Sequence, residues 1–148
     1  MDGRSDVMNQ AELAVDERLL GLFNRVLEQA LRDNPLEDSG ITPPQLALLD
    51  YVAASPGCGV GEIADGLALT APTVSVGMAR LEKASVVERQ PDPEDGRAVQ
   101  FFLSERGQAL HERALTCRRQ RVRQLLAGLT PEEEAQLVAL LEKAVDAL

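Results

Sequence analysis

Between Leu13 and Leu31 the apolar side chains return at intervals of three and four. Leu19, Leu22, Phe23, Val26, Leu27, Ala30 and Leu31 therefore share one face of a long helix. Asn34-Pro35 ends it, because proline disfavours the helical conformation in the residue before it. Thr42-Pro43-Pro44-Gln45 combines a capping hydroxyl, a proline suited to the first helical position and a glutamine three residues after the threonine. A second helix is predicted from about Pro43 to Ala54, broken by Ser55-Pro56-Gly57, and a short third from Val60 to Gly66. Beyond Ala68, Thr70 caps a fourth helix with Pro72 in its first turn. Val74, Met78 and Leu81 lie on one face of it, and Pro72, Val76, Ala79, Arg80 and Lys83 on the other, flanked by Thr73 and Ser75.

Residues 86–90 and 98–103 have strand character and enclose P-D-P-E-D-G-R, in which Asp95-Gly96 signals a turn. Ser104 caps a long helix to about Ala127, and Gly128 ends it. Thr130-Pro131-Glu132-Glu133 is a second capping box, opening a last helix with Leu137, Leu140, Leu141 and Ala144 on one stripe. Two helices joined by a short turn and followed directly by a hairpin make a winged helix-turn-helix. The expected fold is mainly α with a small β-hairpin wing, flanked by long N- and C-terminal helices.

Composition sharpens this picture. The chain's 148 residues suit one domain, and 45% hydrophobic against 3% aromatic content points to leucine, valine and alanine packing. The formal charge of −9 opposes a nucleic-acid partner at first sight, yet residues 70–123 hold ten Lys or Arg against seven Asp or Glu. Basic residues are thus concentrated in the middle of an acidic chain. The first twenty residues lack a basic stretch followed by an apolar one, and no apolar run approaches the roughly 18 residues of a membrane span, so a cytoplasmic protein is expected. Catalysis finds little support: there is no G-x-S-x-G, no Gly-rich phosphate loop, and His111, the single histidine, has no evident partner. No cofactor or metal is expected.

The stretch APTVSVGMARLEKASVVERQPDPEDGRAVQFFLSERG carries R-L-E-K, V-E-R, D-P-E-D-x-R and L-S-E-R-G in order. It resembles the core motif of the multiple-antibiotic-resistance regulator (MarR) family, and the long first and closing helices extend the resemblance over residues 1–148. The resemblance implies a homodimeric transcriptional regulator, most simply a repressor, on a pseudo-palindromic DNA operator. Each subunit would place one recognition helix in the major groove and one wing arginine in the adjacent minor groove. Residues 42–103 would read DNA, and 11–34 and 104–148 would form the dimerisation helices. A small, often aromatic ligand between the two regions would weaken DNA binding, and Phe23 and Tyr51 are the aromatic candidates near it.

On the fourth helix, Thr73 and Ser75 suit phosphates or base edges, Arg80 and Lys83 can reach phosphates or guanine, and Val76 and Ala79 can pack on a thymine methyl. Thr70 and Pro72 complete the DNA-facing set. In the wing, Asp95 is expected to hold the Arg97 guanidinium ready for an A·T-rich minor groove, with Asp92 and Glu94 as solvated bystanders. Pro91 is expected to limit strand pairing there. Apolar stripes beyond what a small core can cover predict a dimer, with Leu125, Leu137, Leu140 and Leu141 in the interface. Arg118, Arg119, Arg121 and Arg123 are expected to pair with acids of the first helix or of a partner subunit, and His111 to lie at a surface or interface. Cys58 and Cys117 read as buried thiols, although Gly57 and Gly59 make Cys58 the more exposed candidate for oxidant sensing. The acidic total and Val76-Gly77, where many relatives carry a basic or polar side chain, keep a second reading open: a dimeric protein-interaction module on the same scaffold with weak DNA affinity.

Overall fold

A computed structural model describes the backbone of residues 3–32 and 34–148, and the side chains of 14–29, 32 and 34–148. The elements run α1 (Gly3–Arg32), a 3-10 turn (Glu37–Ser39), α2 (Pro43–Ala54), α3 (Val60–Gly66), α4 (Ala71–Lys83), β1 (Val87–Pro91), β2 (Val99–Leu103), α5 (Glu105–Leu126) and α6 (Pro131–Val145). α1 begins well before the apolar stripe does. The side chains of Leu13, Ala30 and Leu31, which belong to that stripe, lie outside the described residues.

Local chemistry sets these boundaries. Thr42 and Gln45 form the reciprocal capping box: the Thr42 N–H donates to Gln45 Oε1 at 2.9 Å, and Thr42 Oγ1 accepts from the Gln45 N–H. Past α1, Asn34 Oδ1 accepts the Leu36 N–H and its amide donates to the Ile41 carbonyl at 2.7 Å, which folds the connection inward and buries Leu36 completely. α6 opens on a second box between Thr130 and Glu133.

The core lies between α2, α3, α4, the root of the hairpin and the first half of α5, and among the described residues its buried side chains are purely apolar. Val74, Met78 and Leu81 of α4 meet Leu48, Leu49 and Val52 of α2 there. Burying each such side chain is worth about 1.5–3 kcal/mol, so one face of α4 is fixed inward and its opposite face outward.

β1 and β2 pair antiparallel from Val87 opposite Leu103 to Pro91 opposite Val99. Pro91 is the last paired residue, so it closes the ladder at a position where a missing donor is tolerated. β2 also has a neighbour on its other edge: the Gly57 N–H donates to the Phe101 carbonyl at 2.8 Å and the Phe101 N–H to the Cys58 carbonyl at 3.0 Å. This bridge ties the hairpin to the α2–α3 connection and buries Cys58.

At the foot of the hairpin, the Ser104 N–H donates to the Val86 carbonyl, and Ser104 Oγ lies 2.7 Å from the Ser85 carbonyl and 3.1 Å from that of Val86. The same Oγ accepts the Gly107 N–H, capping α5. Gly107 rests so close to β1 that a Cβ there would stand 2.0 Å from the Val86 oxygen. Ser104 and Gly107 of L-S-E-R-G thus weld α5 to the hairpin. Ser85 itself, like Ala68 in the α3–α4 turn, holds a left-handed backbone, with φ of 57° and 53°.

Candidate nucleic-acid interface

With Val74, Met78 and Leu81 committed to the core, helical geometry brings Pro72, Thr73, Ser75, Val76, Ala79, Arg80 and Lys83 to the exposed side of α4, as the sequence predicts. Thr70 caps the helix through Thr73, and the two hydroxyl oxygens lie 2.8 Å apart. One hydroxyl proton is spent between them, which leaves the other for an acceptor elsewhere. Arg80 and Lys83 make no ion pair among the described residues. Gly77 is not part of the outer face: a Cβ there would come within 2.3 Å of Leu48 Cδ1, so this glycine permits the close approach of α4 to α2. Its lack of a side chain removes nothing from the outer face, where Val76 remains as the exposed apolar residue of the pair.

The wing departs from expectation in detail. Asp95 Oδ1 accepts the main-chain N–H of Arg97 at 3.0 Å, whereas the Arg97 guanidinium makes no ion pair among the described residues. The carboxylate therefore fixes the backbone of Arg97 and not its charged head. A local N–H two residues on is a nearer and less mobile donor than the end of a long side chain. Asp92 is no bystander either, since its Oδ1 accepts the Glu94 N–H at 2.8 Å and the Asp95 N–H at 3.3 Å. The Ala98 N–H closes the turn on the Asp95 carbonyl, and Gly96 is not left-handed, so the turn rests on the two carboxylates and not on glycine's freedom. Glu94, Asp95, Gly96 and Arg97 are all exposed.

Behind this surface, Asp50 of α2 is shared by two side chains of α5. His111 Nδ1 lies 3.0 Å from Asp50 Oδ1, and Arg118 donates to Asp50 Oδ2 at 2.5 Å. His111 thus has a partner within the chain, and Arg118 pairs with α2 and not with the first helix, because Asp50 is the half-buried carboxylate facing α5. Arg113 donates to Asp38 at 2.6 Å, and this hydrogen bond holds the Asp38 carboxyl below its ordinary range and the guanidinium above its own. Sequence reading missed all three links, which join residues far apart in the chain. An acidic residue within an otherwise apolar helix, as Asp50 is in PPQLALLDYVAA, was the available signal.

Phe23 is 55% exposed on α1, while Tyr51 is half-buried on α2 with its ring over Gly66, where a Cβ would stand 2.2 Å from Tyr51 Cε2. Leu125, Leu140 and Leu141 are exposed and Leu137 is half-buried. Cys58 is 3% exposed, against the expectation that its flanking glycines open it, and burial, then the charge of Glu62, push its thiol up and disfavour the reactive thiolate. Cys117 is half-buried. Among the described residues, no three His, Cys, Asp or Glu side chains cluster as metal ligands, and no helix is long and apolar enough to cross a membrane.

Residues 39–98 match the model of the MarR family. An HTH-type transcriptional repressor of Mycobacterium bovis is 31% identical over 108 residues, covering 73% of this chain and 78% of its own. A solved MarR family protein from Bacillus stearothermophilus is similar with a TM-score of 0.82 at 25% identity, over 93% of this chain and 96% of that one. A MepR variant from S. aureus, solved bound to an oligodeoxyribonucleotide, gives a TM-score of 0.65 at 28% identity over 88% of this chain and 96% of that one.

Proposed function

This chain belongs to the MarR family and is a DNA-binding transcriptional regulator, and from that premise we propose that it works as a homodimeric repressor on a pseudo-palindromic operator. The observation that carries the reading is the outer face of α4, where Thr73, Ser75, Val76, Arg80 and Lys83 stand exposed without a role in the core. Thr70 and Pro72 set the start of that helix, and Asp95 sets the backbone of Arg97. α4 enters the major groove, and Arg97 enters the minor groove beside it, where negative potential favours a guanidinium. In this reading residues 42–103 read DNA, and 11–34 and 104–148 hold two copies together. Binding alone, without catalysis, accounts for the role, and it takes place in the cytoplasm.

The apolar side chains left bare support a second copy. α1 exposes Leu19, Leu22, Phe23, Val26 and Leu27, α5 exposes Val122 and Leu125, and α6 exposes Leu140 and Leu141. Patches of this extent mark interfaces, and Leu125, Leu137, Leu140 and Leu141 fall within it in our reading. A small aromatic effector seated near Phe23 and Tyr51 would bias the spacing of the two reading heads and release the operator.

A gel shift with DNA from upstream of the protein's own coding region, repeated across a salt titration, tests the repressor reading. A discrete complex whose affinity falls steeply with salt is expected, and no binding at low salt overturns it. Sedimentation equilibrium tests the dimer, which a folded monomer at micromolar concentration would refute.

A further inference from the structure

The centre of the outer face of α4 carries an apolar row that the fold does not use. Pro72, Val76 and Ala79 follow one another at helical spacing, all exposed, and Val76 is 54% exposed. Gly77, the next residue, turns toward Leu48, which fixes the inward side of the helix and leaves Val76 without an apolar neighbour to pack on in the core. Around the row stand the hydroxyls of Thr73 and Ser75, with Arg80 and Lys83 toward the C-terminal end. Donors that suit phosphates therefore border the row, and the side chain at its centre can neither donate nor accept a hydrogen bond.

Resting on the reading that α4 occupies the major groove, we propose that Val76 determines specificity by packing on the 5-methyl group of thymine. The argument is one of chemical fit. Each base pair offers the major groove hydrogen-bonding groups, and thymine alone adds an apolar one. A valine pressed on the amino group of cytosine or the acceptors of guanine would strip them of water and return nothing. On a thymine methyl the same valine removes apolar surface on both sides from water. The operator half-site accordingly places a thymine under Val76, and Val76 reads the methyl and not the hydrogen-bonding edge.

Deoxyuridine, which is thymidine without that methyl, isolates the contact. A duplex is selected from a random pool by the full-length protein, and each thymine of one half-site is replaced in turn by uracil. Burial of one methyl predicts that one or two replacements weaken binding about three- to fivefold. For Val76→Ala, whose exposed site leaves the fold intact by circular dichroism, the thymine-to-uracil ratio at those positions should fall to near one. Its loss of affinity should be greater on the thymine duplex than on the uracil duplex, so that the two changes are coupled. The inference is overturned if no uracil replacement matters, or if Val76→Ala loses affinity equally on both duplexes, which would mark the row as structural or protein-facing. Failure to select any duplex overturns instead the reading on which it rests.

Discussion

The Asp95 carboxylate holds the main-chain N–H of Arg97 at 3.0 Å, and the Arg97 guanidinium has no ion-pair partner among the described residues. The arginine is thus aimed from its root while its charge stays available, and no ion pair has to break when it meets DNA. Arg97→Ala should weaken operator binding by roughly 1–3 kcal/mol without lowering the melting temperature. Asp95→Asn, which keeps a side-chain acceptor, should bind almost normally, whereas Asp95→Ala should lose part of the Arg97 effect. Titrations of the single and double variants on one operator at one salt concentration check this, and the losses should be non-additive.

Asp92 and Glu94 make a paired comparison. Asp92 accepts two N–H groups of the loop, and no hydrogen bond of the Glu94 side chain joins it to the turn. Asp92→Ala should loosen the tip and cost on the order of 1 kcal/mol of operator binding, with Asp92→Asn restoring most of it. Glu94→Ala removes one negative charge from the approach to DNA and should be neutral or slightly strengthening at low salt. The same titrations separate the two.

Gly107 and Gly77 differ in what an added methyl would strike. At Gly107 it meets the Val86 carbonyl oxygen at 2.0 Å, a backbone atom held by the Ser104 N–H, whereas at Gly77 it meets the tip of Leu48 at 2.3 Å. A rotating leucine terminus yields more readily than a hydrogen-bonded main chain. Both alanine variants should destabilise, Gly107→Ala by roughly 2–3 kcal/mol and Gly77→Ala by about 1–2 kcal/mol. Urea unfolding gives the order.

Ala68 sits at φ 53° between α3 and α4, a conformation that costs a side-chain-bearing residue about 1 kcal/mol. Ala68→Gly relieves that strain but gives the unfolded chain more freedom, so a net gain of at most a few tenths of a kcal/mol is expected. A lower melting temperature would show that the alanine methyl contributes packing that outweighs the strain.

Acid should loosen the link between the 3-10 turn and α5. The Asp38 carboxyl is held below the ordinary carboxylate range chiefly by the Arg113 hydrogen bond. A carboxyl lowered in the folded state stabilises it fully above the unfolded-state value, and that contribution is lost as pH falls through the folded value. Asp38→Asn should therefore flatten the stability profile below about pH 4 and leave the neutral region little changed, because this pair is solvent-exposed and screened. Chemical unfolding of both proteins between pH 3 and 7 tests it.

How legible these features were depended on their range. The start of α2 follows from Thr42 and Gln45, which act within four residues, and the inward face of α4 follows from spacing alone. The start of α1 did not, since its first turns carry no apolar stripe to mark them. Asp95 and Arg97 are near enough in sequence to be paired on sight, but sequence does not say which N–H the carboxylate takes. His111 meets Asp50 across 61 positions, and Cys58 joins β2 through a single residue pair. Neither leaves a periodic trace, because one contact has no period.

The weld at Ser104 has a mechanical consequence. One hydroxyl caps α5 and reaches the carbonyls that precede β1, and Gly107 lets the helix press on the strand, so the hairpin cannot tilt without carrying α5 along. In the dimer proposed above, the two hairpins would behave as the jaws of a calliper whose arms are the α5 helices. A few degrees between those arms would set the gap between the two Arg97 tips, and hence which length of operator the pair can grip.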